Sequence, residues 1–187
     1  MEFVDPIKNL NDIRTIKKIL KQHSQRDLLF FVLGINTGLR ISHLLTLKIE
    51  DVWDGKGIKD FIHVADTHTG EKKAFYLNTS VKKEIKTYLS MYDFDPANYL
   101  FKSKKDNNPI TRQQAYRIIN HAAKEAGVKG KIGTHTLRKT FAYHAYRKGI
   151  AISIISKILN HHSTSDTLHY IGIDKHEARL IKVDVNL

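Results

Sequence analysis

The stretch "THTLRKTFAYHAY", Thr134 to Tyr146, sets a histidine and an arginine three residues apart at the start of a helical pattern. Positions three apart share a helix face, so His135 and Arg138 can point at the same anion. Leu137, Phe141 and Ala145 recur one turn apart and form a core stripe on another side, which leaves the His135/Arg138 pair for the surface. Taken alone, the pair reads first as a solvated polar helix end. Its meaning depends on the chain around it.

That chain has 187 residues, enough for one domain with a real core. Its 31 Lys and Arg against 19 Asp and Glu give a formal charge of +12, which points to a polyanionic partner. The basic residues are spread over many segments and no amphipathic anchor helix stands out, which favours nucleic acid over a membrane surface. No apolar run approaches the roughly 18 residues of a membrane span; the longest, "LLFFVLGI" at 28–35, reads as a buried helix. The first residues, "MEFVDPIKNL", lack the basic and then apolar character of an export signal. The absence of cysteine excludes disulfides and thiolate metal sites, and a cytoplasmic location is expected.

Periodicity predicts a first helix capped by Asn9 or Asn11 and ending near His23, then a second, apolar nearly all round, that stops at Gly38. A short helix follows over Ser42 to Leu47. From Asp60 to Leu77 the pattern changes to β-formers on either side of a Thr69-Gly70 turn, a hairpin signature. Helical spacing returns over Ser80 to Tyr92, and Pro96, Asn107, Asn108 and Pro109 mark a loop. "TRQQ" at 111–114 has capping-box spacing and opens a helix that closes at Gly127. Two more helices are expected over Thr136 to Lys148 and Ile152 to Leu159, with residues 162–169 as a connection. The fold class is therefore mainly α with a small antiparallel sheet, in one domain.

Three blocks now line up: "NTGLRISHLLTLKIEDVW" at 36–53, "HTLRKTF" at 135–141 and "LNHHSTSDTLHY" at 159–170. Their order and internal spacing resemble the tyrosine recombinases, also called phage integrases, whose catalytic domain carries "TGLRxSEL", then "HxLR", then "LGH" with a tyrosine nine residues on. Arg40, His135, Arg138, His161 and Tyr170 fall in those places. The resemblance implies the DNA breaking-rejoining fold and a site-specific recombinase that cleaves and rejoins double-stranded DNA through a 3′-phosphotyrosine, without metal, ATP or other cofactor. The chemistry of the residues agrees: the planar guanidinium forks of Arg40 and Arg138 suit two nonbridging phosphate oxygens. His135 and His161 can donate to the phosphorane or carry protons, and Tyr170 attacks.

The family places a lysine in the hairpin turn as acid for the leaving 5′-oxygen, and that position here holds His68. Lys72 and Lys73 are the other candidates. If Thr69 and Gly70 form a two-residue loop, alternation puts Lys73 on the face of His68 and Lys72 on the other. His43 stands where an acidic residue is common, and Asn160 replaces the glycine of "LGH", a change that asparagine's tolerance of left-handed backbone makes mild. Most relatives carry an N-terminal DNA-clamping domain; the chain resembles the short stand-alone form that lacks it. Affinity for DNA is then expected to come from net charge and to fall steeply with salt.

A metal site at His161, His162 and His169, with Asp166, is a rival reading of the last block, as are a noncatalytic DNA-binding relative and a type IB topoisomerase. His162 and His169 are expected to be surface residues beside the nucleophile. By the same resemblance, the end, "DKHEARLIKVDVNL" at 174–187, is expected to pack into a neighbouring protomer of a DNA-bound tetramer, with a monomer possible for the free protein.

Overall fold

The apolar spacings resolve into packed helices around one hairpin. The computed structural model describes residues 4–65 and 70–173. Asn9 caps α1 (Leu10–His23), its side chain accepting from the Asn11 amide at 2.8 Å. Ser24 ends α1 and caps α2 (Gln25–Thr37), which runs through the core with Leu29, Phe30, Phe31 and Leu33 fully buried. Gly38 then turns left-handed (φ 70°) and sends the chain into α3 (Ile41–Thr46) and the single turn α4 (Ile49–Val52). The hairpin β1 (Phe61–Ala65) and β2 (Lys72–Tyr76) follows, then α5 (Thr79–Leu89), α6 (Arg112–Glu125), α7 (Thr134–Arg147), α8 (Ile152–Leu159) and α9 (Thr164–Ile171). The capping box read at 111–114 is present: the Gln114 amide donates to Thr111 Oγ1 at 3.1 Å, and the Thr111 amide to Gln114 Oε1 at 2.7 Å. Among the described residues, no helix is long and apolar enough to cross a membrane.

Three local expectations need correction. The segment read as a connection contains α9, because Ser163 Oγ accepts from the Asp166 amide and caps it. The hairpin pairs Val64 with Lys73 and Ala65 with Lys72, whereas a two-residue Thr69-Gly70 loop would pair Asp66 with Lys73. Arg138 is not at the surface: it is only 8% exposed.

Two apolar clusters divide the molecule. The larger joins α1, α2, α5 and α6 with the inner face of the hairpin, where Ile62 and Phe75 are buried opposite one another. The smaller holds Ala142, Ile155, Leu159, Ile171 and Ile173, with Phe141 and Tyr146 packed against it. α7 bridges the two, and its contact with α2 depends on two glycines one helical turn apart. A Cβ on Gly34 would lie 2.6 Å from Leu137 Cδ1, and one on Gly38 would lie 2.5 Å from Phe141 Cδ1. Gly38→Ala combines that overlap with a positive φ, and is expected to cost about 1–3 kcal/mol. For a chain of this size, thermal unfolding should fall by roughly 2–4 °C per kcal/mol; an unchanged midpoint would show that α7 can retreat without loss.

Candidate active site

Arg40 is delivered by the end of α2. The left-handed Gly38 reverses the chain, Leu39 anchors it in the core at 1% exposure, and Arg40 becomes the N-cap of α3. Its side chain lines a cleft together with His43, Lys73, Phe75, Arg138 and Asn160. The two guanidiniums thus come from the ends of different helices and meet over one opening.

Arg138 enters from α7 and is held from behind, Nη2 donating to the backbone carbonyl of Leu159 at 2.5 Å. Burial, reinforced by the positive charge of Arg40 and opposed by Tyr170, lowers its pKa to about 10. It therefore stays charged at neutral pH but is poorly solvated. A desolvated cation aimed at a cleft interacts strongly with an arriving anion, because little water must be displaced.

His135 lies in the first turn of α7. The residue as a whole is exposed, yet partial burial of its ring, then the charges of Arg112, Arg138 and Lys139, hold it below imidazole's ordinary value. His161 is lowered in the same direction, first by burial and then by Arg138. Both rings are thus biased toward the neutral form.

Hydrogen bonding assigns the His161 proton. Ser156 Oγ donates to the Ile152 carbonyl at 2.8 Å and lies 2.8 Å from Thr167 Oγ1. The Thr167 hydroxyl then donates to Ser156 or to the Ser163 carbonyl, and is left to accept from His161 Nδ1 at 2.9 Å. The neutral ring keeps its lone pair on Nε2, the nitrogen left for substrate.

Tyr170 stands one helical turn after Thr167 on α9. Its ring meets the His161 ring edge-on, centroids 4.9 Å apart at 76°, and Lys139 Nζ lies 4.9 Å from its centroid. Burial raises the phenol pKa, while Arg138 and Arg40 pull it down. An approaching phosphate would meet a protonated phenol beside two fixed positive charges.

Of the candidate acids, Lys73 reaches the cleft. In the observed register it shares the inner face of the hairpin with Ile62, Val64 and Phe75, and Nζ donates to Asn160 Oδ1 at 2.8 Å. Lys72 is exposed on the other face, and His68 lies outside the described residues. The tail at 174–187 lies outside them too.

The structure therefore brings Arg40, His135, Arg138, His161, Tyr170 and Lys73 into one neighbourhood. Three contributors escaped sequence reading. Thr167 has no exposure and orients His161; its signal was its place one turn before Tyr170, hidden while α9 was unrecognised. Lys139, 5% exposed, faces the Tyr170 ring, and nothing in a lysine next to an arginine announces burial. Asn160 adopts the left-handed conformation expected of it (φ 57°, ψ 44°), but its contact with Lys73 spans 87 residues. Among the described residues, no three His, Asp or Glu side chains are grouped to hold a metal ion. His162 and His169 are exposed.

Comparison with known proteins gives this constellation a family. The chain is 42% identical over 179 residues to the probable integrase/recombinase YoeC of Bacillus subtilis (strain 168), covering 96% of this chain and 95% of that protein. The crystal structure of XerA recombinase superposes with a TM-score of 0.74 at 25% identity, over 94% of this chain and 61% of that one. XerH site-specific recombinase, in a post-cleavage complex with a palindromic difH substrate, shares the fold with a TM-score of 0.73 at 20% identity, over 95% of this chain and 52% of that one. The chain thus spans little more than half the length of these two solved recombinases. Residues 7–177 match the profile of the phage integrase family, and with Arg40 and Arg138 lining one cleft and Tyr170 packed on His161 beside them, the chain belongs to that family, the tyrosine recombinases.

Proposed function

We propose that the chain supplies a catalytic domain that cleaves and rejoins double-stranded DNA site-specifically, working as a tetramer on DNA. The observation that carries this reading is the meeting of two clamp arginines from different helices with a tyrosine already packed against a histidine. Arg40 and Arg138 bind the two nonbridging oxygens of the scissile phosphate and offset the charge that builds on the phosphorane. The Tyr170 oxygen attacks phosphorus, forming a P–O bond to the phenol as the bond to the 5′-oxygen breaks. His161 Nε2 takes the phenol proton, and His135 donates to a phosphorane oxygen when protonated. Lys73 gives a proton to the leaving 5′-oxygen, a role supported by its place on the cleft face. The ester conserves the bond, so a 5′-hydroxyl from another strand can reverse the step without ATP.

XerH was captured with its DNA substrate, and the +12 charge of this chain suits the same class of partner. Incubation with nicked half-site DNA from the flanks of its own gene, followed by a denaturing gel, tests the reading. A covalent adduct through the 3′ end supports it. Retention of the DNA with no adduct on any such substrate would favour a noncatalytic binder, and sedimentation of the complex reads the assembly state.

A further inference from the structure

The last turn of α8 faces the cleft with its carbonyl end. Leu159 O accepts from Arg138 Nη2 at 2.5 Å, Lys157 O lies 3.5 Å from Lys73 Nζ, and Asn160 Oδ1 lies 2.8 Å from the same ammonium. Arg40, Arg138 and Lys73 line one small cleft, so three cations would repel one another there without a compensating field. The negative pole of a helix C-terminus supplies one. Asn160 adds to it from an unusual backbone: it is the only non-glycine residue at positive φ among the described residues (φ 57°). Glycine would hold that conformation with less strain, yet would offer Lys73 no side-chain acceptor.

We propose that Asn160 is a positioning residue that docks the Lys73 ammonium at the edge of the arginine clamp, so that the proton for the departing 5′-oxygen is delivered from a fixed place. The inference rests on Lys73 acting as the acid, as proposed above. The end of α8 is then a jig for two cations, Arg138 through a main-chain carbonyl and Lys73 through a side-chain amide. It also makes sense of asparagine where the local backbone would favour glycine.

The test uses the full chain and two half-site substrates, one with the natural 5′-oxygen at the scissile phosphate and one with a 5′-bridging sulfur. Sulfur departs as a thiolate and needs no acid, since thiols hold their proton far more weakly than alcohols. Asn160→Gly keeps or eases the left-handed turn, so folding is not at risk. It is expected to slow cleavage of the oxygen substrate by about 10-fold or more and to leave the sulfur substrate at the wild-type rate. Lys73→Ala should be slower still on oxygen and also recover on sulfur, with the double variant no slower than Lys73→Ala alone. Equal slowing of Asn160→Gly on both substrates, or no slowing on either, overturns the positioning role while leaving Lys73 as the acid. If Lys73→Ala cleaves the oxygen substrate normally, or is not recovered by sulfur, the assignment of the acid fails and the docking role fails with it.

Discussion

Tyr170→Phe is expected to remove the covalent protein–DNA adduct while leaving the fold and DNA retention in place. The substitution deletes one oxygen and keeps the ring, so the edge-on contact with His161 and the approach of Lys139 Nζ, both at 4.9 Å, survive. Burial already disfavours the ionised phenol, so losing the hydroxyl does not expose a stabilising charge. What disappears is the oxygen proposed to form the ester. Loss of a nucleophile costs on the order of 10⁴-fold or more in rate, which takes the adduct below detection on a denaturing gel, while a band shift should match the wild type. An adduct that persists would put the nucleophile elsewhere, with Tyr143 and Tyr146 on α7 the next to examine.

Arg138 should separate stability from activity. Its pKa, lowered from the ordinary 12.5 to about 10, corresponds to roughly 3 kcal/mol against the charged form in its present site. The bond to Leu159 O works the other way, and a buried carbonyl left without its partner costs about 1–3 kcal/mol. Arg138→Met fills similar space with no charge, so the two effects nearly cancel, and thermal unfolding should stay close to the wild type or rise slightly. Cleavage should fall by about 10³-fold or more, because the fork that binds both phosphate oxygens is gone. Arg138→Lys keeps the charge but can reach only one oxygen at a time, and its cleavage should also fall, by less. A melting point lowered by many degrees in Arg138→Met would mean that the arginine is held for the fold rather than for the phosphate.

The sequence made the chemistry more legible than the geometry. Arg40, His135, Arg138, His161 and Tyr170 are named by their resemblance to the recombinase motifs, which is readable because each motif is a short block whose local structure is strongly determined: a glycine stop before Arg40, a helix start at His135, a left-handed asparagine before His161. The capping box at Thr111 was equally local. Failures came where distant contacts decide. A single-helix view put Arg138 at the surface, since the carbonyl that holds its guanidinium, that of Leu159, belongs to another helix. Helix α9 was missed because its core-facing residues are few, Thr167 and Ile171 being the buried ones, so polar composition hid the helical period. The two-residue register error left Lys73 on the face expected of it, because strand alternation has a period of two; its choice over Lys72 needed the contact with Asn160, 87 residues away.

The partition into two apolar clusters has a consequence for timing. Arg40 and Lys73 extend from the large cluster, whereas His161 lies between α8 and α9 and Tyr170 on α9, whose own cluster has five buried members among the described residues. The candidate site is therefore split across a seam, with Arg138 reaching over it to Leu159. A small cluster resists local opening less than a large one, so the α8–α9 side is expected to open locally at a lower cost than global unfolding. On the proposed mechanism, a contact on the α8–α9 side of that seam would govern when a strand is cut without touching a phosphate, much as a safety catch governs a trigger it is not part of.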